Sequence, residues 1–244
     1  MRVAIGATRR LGMECIKFLH EQGVEIIGVD CTLDVDHRES CFDLCMELGI
    51  KVLSYKEIVE SKPDLFISIK YPKIIKKDLL DICPCINLHT ARLPQYRGCN
   101  GFYHAIVNND LIYGTTLMEI DEGIDTGRII AERFLTIRIR DTSETLAKRV
   151  YALSLRMFKE EWQRIADKSY STYEQQGEPR YYPRSLDREI SGSPIDVYNK
   201  VRALDFKGYE PPIKDGKIIT TKQCWTTEPI KTLLEEERKK RVIK

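Results

Sequence analysis

The sequence predicts an α/β fold: a doubly wound, mostly parallel sheet followed by a small C-terminal extension with a helix and a β-hairpin. Two observations predict the sheet. Apolar runs at 2–6, 24–29, 50–53 and 64–69 are separated by stretches of helical periodicity, giving the order βαβαβαβ. These runs suit strands buried in a sheet that is covered by helices. A third observation sets a boundary. After Tyr170 the composition shifts, and Gln175-Gln176-Gly177-Glu178-Pro179 reads as a linker. Residues 1–175 are therefore expected to form the main domain and 176–244 the extension.

Taken in order, Arg2 to Gly6 is a strand ending in glycine, Leu11 to Gln22 a helix and Val24 to Val29 the next strand. Gly6 and Gly12 are too few and wrongly spaced for a dinucleotide fingerprint. Thr8, the helix N-terminus, Arg9 and Arg10 offer a place for a phosphate; a solvated turn is the alternative. A helix at Asp36 to Leu48, a strand at Ile50 to Leu53, a short helix at Lys56 to Ser61 and a strand at Asp64 to Ile69 follow. Gly101 to Asn109 reads as a helix with His104 on its inner face, and Ile129 to Ile139 as a strand. Ser143 to Lys168 is one long helix, capped by Thr142 or Ser143. Leu146, Val150, Leu153, Met157, Trp162 and Ile165 recur there at near-helical spacing, so Met157, Phe158 and Trp162 are expected to pack on the sheet. Pro194 to Ala203 is a short helix, and Lys214-Asp215-Gly216-Lys217 a hairpin turn with Ile218 to Trp225 as the return strand. Leu233 to Lys244 reads as a charged, solvated helix, with an RNA or membrane contact at Arg238 to Arg241 as the alternative.

With 244 residues, 42% of them hydrophobic and 31% charged, the chain has a soluble balance and length enough for a core. Its net charge of +2 makes no case for a dedicated nucleic-acid binder. No apolar run approaches the roughly 18 residues of a membrane span. No charged-then-apolar leader opens the sequence, so a cytoplasmic protein without a membrane partner is expected. The 8 cysteines invite a metal reading around His37, Cys41 and Cys45, and at Cys83 and Cys85. Neither spacing is a usual zinc pair. Reduced, buried cysteines acting as small hydrophobes are expected instead, and no metal.

The chemistry concentrates between Cys85 and Ile130. Ile82 to Leu88 is a short strand interrupted by Pro84, and Asn87 and His89, two residues apart at its end, project from one face. A loop with turn chemistry follows at Arg92-Leu93-Pro94 and Arg97-Gly98. Gly114 to Ile120 is a second strand, running into the acidic loop Asp121 to Gly127. An imidazole beside a carboxylate takes a proton from a nucleophile, the carboxylate fixing the tautomer and stabilising the imidazolium. An amide NH2 beside them donates to an oxyanion as it develops. Asn87, His89 and Asp125 thus suit acyl transfer to an amine with no covalent enzyme intermediate. A satisfied structural Asn-x-His pair and a solvated acidic loop are the alternatives that spacing alone leaves open.

N-L-H-T-A-R-L-P-Q-Y-R-G at 87–98, followed by G-T-T-L-M-E-I-D-E-G-I-D-T-G-R-I-I at 114–130, resembles the formyltransferase family that uses N10-formyltetrahydrofolate. The family's usual Ser-Leu before Leu-Pro is Ala91-Arg92 here, which bears on the substrate and leaves the chemistry intact. Near the linker the family has a Q-x-G-x-x-Y-x-x-R segment leading to I-D-W; here 187–190 reads D-R-E-I, without the Trp. The resemblance implies a Rossmann-like formyltransferase fold and catalysis by Asn87, His89 and Asp125. It implies N10-formyltetrahydrofolate as co-substrate, contacted by Tyr71, Ile74, Leu88, Arg92, Leu93, Asp121, Gly123 and Ile124, and no metal.

Methionyl-tRNA formyltransferases have a further β-barrel domain, and glycinamide ribonucleotide transformylases a glycine-rich phosphate loop where this chain has Ala7-Thr8-Arg9-Arg10. The chain is more similar to the small nucleotide-sugar N-formyltransferases. That resemblance implies a nucleotide-linked amino sugar, such as a dTDP-4-amino-4,6-dideoxyhexose for surface polysaccharide or O-antigen, and a homodimer formed through the hairpin. Arg9, Arg10, Lys77 and Arg97 are then expected at the diphosphate, Phe206, Tyr209 or Trp225 at the base, and Tyr96 and Arg202 on the acceptor side. Another small amine, methionyl-tRNA, hydrolysis of formyltetrahydrofolate, and folate binding without transfer are the alternatives.

Overall fold

The structure is a computed structural model that describes residues 1–31, 40–207, 209–214 and 216–242. The chain divides into two compact units, Met1–Arg97 with Gly114–Arg133 and Tyr151–Arg180, and Gly98–Tyr113 with Phe134–Val150 and Tyr181–Lys244. In chain order the elements are β1 (Arg2–Ala7), α1 (Arg9–Glu21), β2 (Glu25–Asp30), α2 (Cys41–Leu48), α3 (Tyr55–Ser61), β3 (Leu65–Ile69), α4 (Lys77–Leu80) and β4 (Cys85–His89). They continue with β5 (Arg97–Gly98), α5 (Gly101–Val107), β6 (Ile112–Glu119), β7 (Ile129–Thr136), α6 (Ser143–Ala166) and β8 (Tyr181–Tyr182). The rest are α7 (Pro194–Leu204), β9 (Ile213–Lys214), β10 (Lys217–Ile218), α8 (Thr221–Cys224) and α9 (Glu228–Val242).

The expected doubly wound sheet is present, with strand order β2-β1-β3-β4-β6-β7. The pairs β1–β2, β1–β3 and β3–β4 are parallel, and β4–β6 is antiparallel. Its inner strands β1 and β3 are buried on both faces, and the period of two shows how. Val3, Ile5, Ile67 and Ile69 join one apolar cluster, which also takes Leu117, Met157, Phe158 and Trp162. Ala4, Phe66 and Cys85 join another, with Ile58 and Leu79. The long helix α6 thus lays its apolar residues on the sheet as its periodicity predicts. Each fully buried side chain of this size contributes about 1.5–3 kcal/mol.

In the second unit a separate cluster gathers Tyr198, Val201, Cys224, Ile230 and Leu234. None of the eight cysteines is in a disulfide, and six of them are buried. Among the described residues no group of three or more His, Cys, Asp or Glu is placed to hold a metal, and no helix is long and apolar enough to cross a membrane.

Three expected elements differ. Ile50 to Leu53 is not a strand; Val52 alone bridges to Val29 beside the edge strand β2. The helix expected from Asp36 is described from Cys41, where Ser40 caps it by accepting from Asp43 N at 3.2 Å; residues 32–39, His37 among them, lie outside the described residues. The return strand expected at Ile218 to Trp225 stops at Ile218. Thr220 and Gln223 make a capping box there and turn the chain into α8. Asp215 of the expected hairpin turn and the side chains of Arg238 to Arg241 also fall outside the described residues.

Candidate active site

Strand β4 carries Asn87 and His89 on one face. Ile86 and Leu88 point the other way and are buried. Its position is fixed by neighbours on both sides: Asn87 pairs with Ser68 of β3 and with Met118 of β6, and His89 with Thr116. Two buried hydroxyls on β6 then pin the chain as it leaves the strand. Thr115 donates to the His89 carbonyl at 2.9 Å and Thr116 to the Ala91 carbonyl at 2.8 Å. Ser154 of α6 donates to Thr115 Oγ1 at 2.7 Å, so the helix completes the chain of hydroxyls. The Leu93–Pro94 peptide that follows is cis.

The His89 ring lies between a carbonyl and a carboxylate. Nε2 is 3.0 Å from the Tyr96 carbonyl oxygen. A carbonyl only accepts, so Nε2 carries the hydrogen and Nδ1 is the basic nitrogen. Nδ1 faces Asp125 Oδ1 at 3.6 Å, beyond hydrogen-bond range but within ion-pair reach, and both side chains are only 14% exposed. The tautomer is therefore set by Tyr96, not by Asp125 as the residue types alone suggested. Two unprotonated acceptors face each other across this gap, and a proton arriving at Nδ1 turns the contact into an ion pair. Burial holds the His89 pKa below the ordinary histidine value; Lys70 pushes it the same way, and Asp125 opposes both.

Asp125 is presented by a tight loop. Its own φ is +54°, in the left-handed region that Asp tolerates better than most residues. Gly127 comes so close to β6 that a Cβ there would lie 1.9 Å from the Glu119 carbonyl oxygen. Asp121 shapes the loop from within, its Oδ1 accepting from Gly123 N at 3.0 Å and Thr126 Oγ1 at 2.5 Å. Gln175 grips it from outside, through the carbonyls of Asp125 and Gly127.

The other expected contacts divide. Ile74 and Ile124 are 71% and 48% exposed, apolar side chains left in solvent near the loops that carry the chemistry. Leu88 and Leu93 are buried, and Arg92 is half-buried. The Tyr71 hydroxyl donates to Asp30, which also pairs with Lys73 at 2.7 Å, and the Tyr71 ring packs on Phe66. Thr8 turns inward, donating to the Lys70 carbonyl at 2.6 Å, which removes its hydroxyl from any phosphate site. Arg9 and Arg10 are exposed, and Arg10 pairs with Glu14 at 3.8 Å. Lys77 pairs with Asp81 and Glu122. Tyr96 is buried and contributes its carbonyl; Arg97 is half-buried against Gln175.

Within the second unit, Phe206 and Tyr209 form an aromatic pair with ring centroids 4.9 Å apart, and the Tyr209 hydroxyl donates to Asn100 Oδ1 at 2.9 Å. Trp225 Nε1 donates to the Tyr198 hydroxyl at 3.0 Å, with Arg140 over its ring. Arg202 is 2% exposed and its guanidinium is spent on the carbonyls of Arg138 and Asp141 and on Asn199 Oδ1. That placement makes it a structural cation of the unit's interior.

The family model described as Formyl transferase matches residues 53–160. A methionyl-tRNA formyltransferase of Halothermothrix orenii is 31% identical over 212 residues, 80% of this chain and 66% of that protein. The chain spans between a third and two thirds of the length of the first curated relatives it matches, all methionyl-tRNA formyltransferases. Among solved structures, an N-formyltransferase from Helicobacter canadensis, in complex with folinic acid and dTDP-3-aminofucose, superposes with a TM-score of 0.80 at 25% identity, over 89% of this chain and 85% of that one. A 4-N formyltransferase from Francisella tularensis shares the fold, with a TM-score of 0.74 at 19% identity, over 89% and 95%. The matched stretch holds the whole of β4 and the Asp125 loop, so the motif, the sheet and the site agree: the chain belongs to the formyl transferase family.

Proposed function

We propose that the protein transfers the formyl group of N10-formyltetrahydrofolate to the amine of a nucleotide-linked amino sugar. The observation that carries the acceptor class is the match to the Helicobacter canadensis N-formyltransferase. It superposes over 89% of this chain and 85% of that one, and its complex holds dTDP-3-aminofucose; a methionyl-tRNA formyltransferase of Caldanaerobacter subterraneus is matched over 94% and 81% at the same 25% identity, which makes methionyl-tRNA the competing acceptor.

The folate fits what this chain offers. Exposed Ile74 and Ile124 supply apolar cover for a flat ring, with backbone groups offered by Asp121 and Gly123 on the loop of Ile124, by Leu88 in β4 and by Arg92 and Leu93 just after it. When bound it supplies an electrophilic formyl carbon. Among the described residues the half-buried Asn87 side chain has no hydrogen-bond partner, so its NH2 can donate to the formyl oxygen as charge builds there. His89 is held neutral by burial and takes the proton of the attacking amine at Nδ1. Asp125 then stabilises the imidazolium across the 3.6 Å gap, and His89 would return the proton to N10 as the bond between N10 and the formyl carbon breaks, leaving the formylated amine and tetrahydrofolate. The exposed Arg9 and Arg10 bring positive charge for a diphosphate, and in the second unit the Phe206–Tyr209 pair suits a nucleobase. A cytoplasmic homodimer belongs to the same reading, supported by the exposed Ile213–Ile218 pair of the β9–β10 hairpin.

Purified protein with N10-formyltetrahydrofolate and dTDP-, GDP- and UDP-linked amino sugars should formylate one of them, read by product mass. His89→Asn should lower that turnover about 10²- to 10⁴-fold with the fold intact. Methionyl-tRNA, which the curated relatives favour, belongs in the same panel. Its formylation with silence on every sugar would replace the acceptor, and formate release without any amine would replace transfer by hydrolysis.

A further inference from the structure

Four hydrogen bonds converge on Gln175, a residue that in sequence opens the linker-like stretch. Its amide nitrogen donates to the carbonyls of Asp125 and Gly127, each at 2.9 Å. Its amide oxygen accepts from Arg97 Nη2 at 2.8 Å and Nε at 3.2 Å. The partners leave no ambiguity about which way the amide points. Two carbonyls require the NH2, and a guanidinium requires the oxygen. Arg97 is itself tied down, its backbone N donating to the Arg180 carbonyl at 3.0 Å. The amide is thereby filled on both sides, with both N–H groups donating and the oxygen accepting twice.

We propose that Gln175, oriented by Arg97, is a positioning residue for the reaction: it holds the backbone at Asp125 so that the carboxylate stays against Nδ1 of His89. The catalytic meaning rests on the proposed formyl transfer; the geometry does not. The Asp125 loop is held at its two ends, where Ile120 N donates to the Cys85 carbonyl of β4 at 2.8 Å and Glu119 N to the Arg128 carbonyl at 2.9 Å; between them the Asp125 backbone is left-handed and the bonds through Asp121 shape the loop from within. Gln175 adds a hold between those ends by binding the loop at two points. Arg97, expected from the sequence at a diphosphate, is the residue that aims the amide.

The test uses Gln175→Met, which keeps length and removes both donors without adding charge, and Arg97→Lys, which keeps the charge and loses the planar two-point grip. For the wild type, both variants and Asp125→Asn, kcat and KM are measured with the acceptor found by the panel, alongside thermal midpoints. The His89 ring is titrated by NMR in the absence of substrate. The charged groups acting on it are Asp125 and Lys70. Gln175→Met should lose about tenfold or more in kcat with KM within about threefold. Its His89 midpoint should move to lower pH, towards that of Asp125→Asn. Arg97→Lys should do the same more weakly, and the double variant Gln175→Met/Asp125→Asn should be no slower than Asp125→Asn alone. Wild-type kcat with an unmoved His89 titration in Gln175→Met overturns the proposal, as does a change confined to KM. If no acceptor is formylated by the wild type, the proposed function falls. The His89 titration then decides alone: a shift sustains the role of Gln175 and an unmoved midpoint removes it.

Discussion

Asp125→Asn isolates the charge at the centre of the site. The substitution keeps the size of the side chain and leaves the Asp125 carbonyl free to accept from Gln175, so the loop keeps its tie. What is lost is the attraction between a carboxylate and a protonated His89 at 3.6 Å. In a water-like medium that attraction is about 1 kcal/mol, and at an effective dielectric of about 20 it is about 5 kcal/mol. Both side chains are mostly covered, so the result should fall between these limits. A loss of about 10- to 1,000-fold in kcat follows, since each 1.4 kcal/mol or so is a factor of ten. The acid limb of kcat/KM should move too. Among the described residues Asp125 is the group that raises the His89 pKa, so removing it leaves burial and Lys70 to push the titration further down. The assay is steady-state formylation across pH, with circular dichroism and a thermal melt as controls for folding. A variant that melts normally, keeps more than half of kcat and shows an unmoved acid limb would refute the pairing of Asp125 with a protonated His89.

Three further outcomes follow from the same contacts. Thr115→Val removes the donor to the His89 carbonyl and the acceptor of Ser154, and should cost about 1–3 kcal/mol in denaturant unfolding and lower kcat at the same time; full turnover in the variant would separate the hydroxyl chain from the site. Arg202→Met strips partners from two carbonyls and should cost about 3 kcal/mol, a fall of roughly 6–12 °C in thermal midpoint, with the acceptor KM of the folded protein unchanged; a raised KM with normal stability would return Arg202 to the substrate. His104 is half-buried, stacked on Tyr182 at 4.0 Å, and burial pushes its pKa down to about 4. The unfolded chain therefore binds the proton first, so stability should fall as pH drops from about 6.5 towards 4. His104→Phe, which keeps the stack, should flatten that slope in denaturant melts, and an unchanged slope would exclude His104 as its source.

What the sequence discloses of this site follows from how far each residue acts. Asn87 and His89 are legible because a strand fixes the direction of a side chain two residues on, whatever surrounds it. The packing of Met157, Phe158 and Trp162 is legible for the same reason in a helix. Where two local signals compete, the sequence misleads: the β-branched run Ile218-Ile219-Thr220-Thr221 reads as a strand, yet Thr220 and Gln223 cap a helical turn, and a closed pair of orphan N–H groups outweighs propensity. The long-range polar contacts are not legible at all. Arg97 and Arg202 have the same side chain and the same apparent freedom to meet a phosphate, but the first faces an amide oxygen contributed by Gln175 and the second faces two carbonyls from the loop before α6. A buried carbonyl left without a donor is costly, so the nearest guanidinium is claimed by the backbone before any ligand arrives. Which guanidinium that is depends on the folded path of the chain, and no spacing in the sequence records it. The same reasoning covers the His89 tautomer: the group that sets it, the Tyr96 carbonyl, is backbone, and every residue carries one.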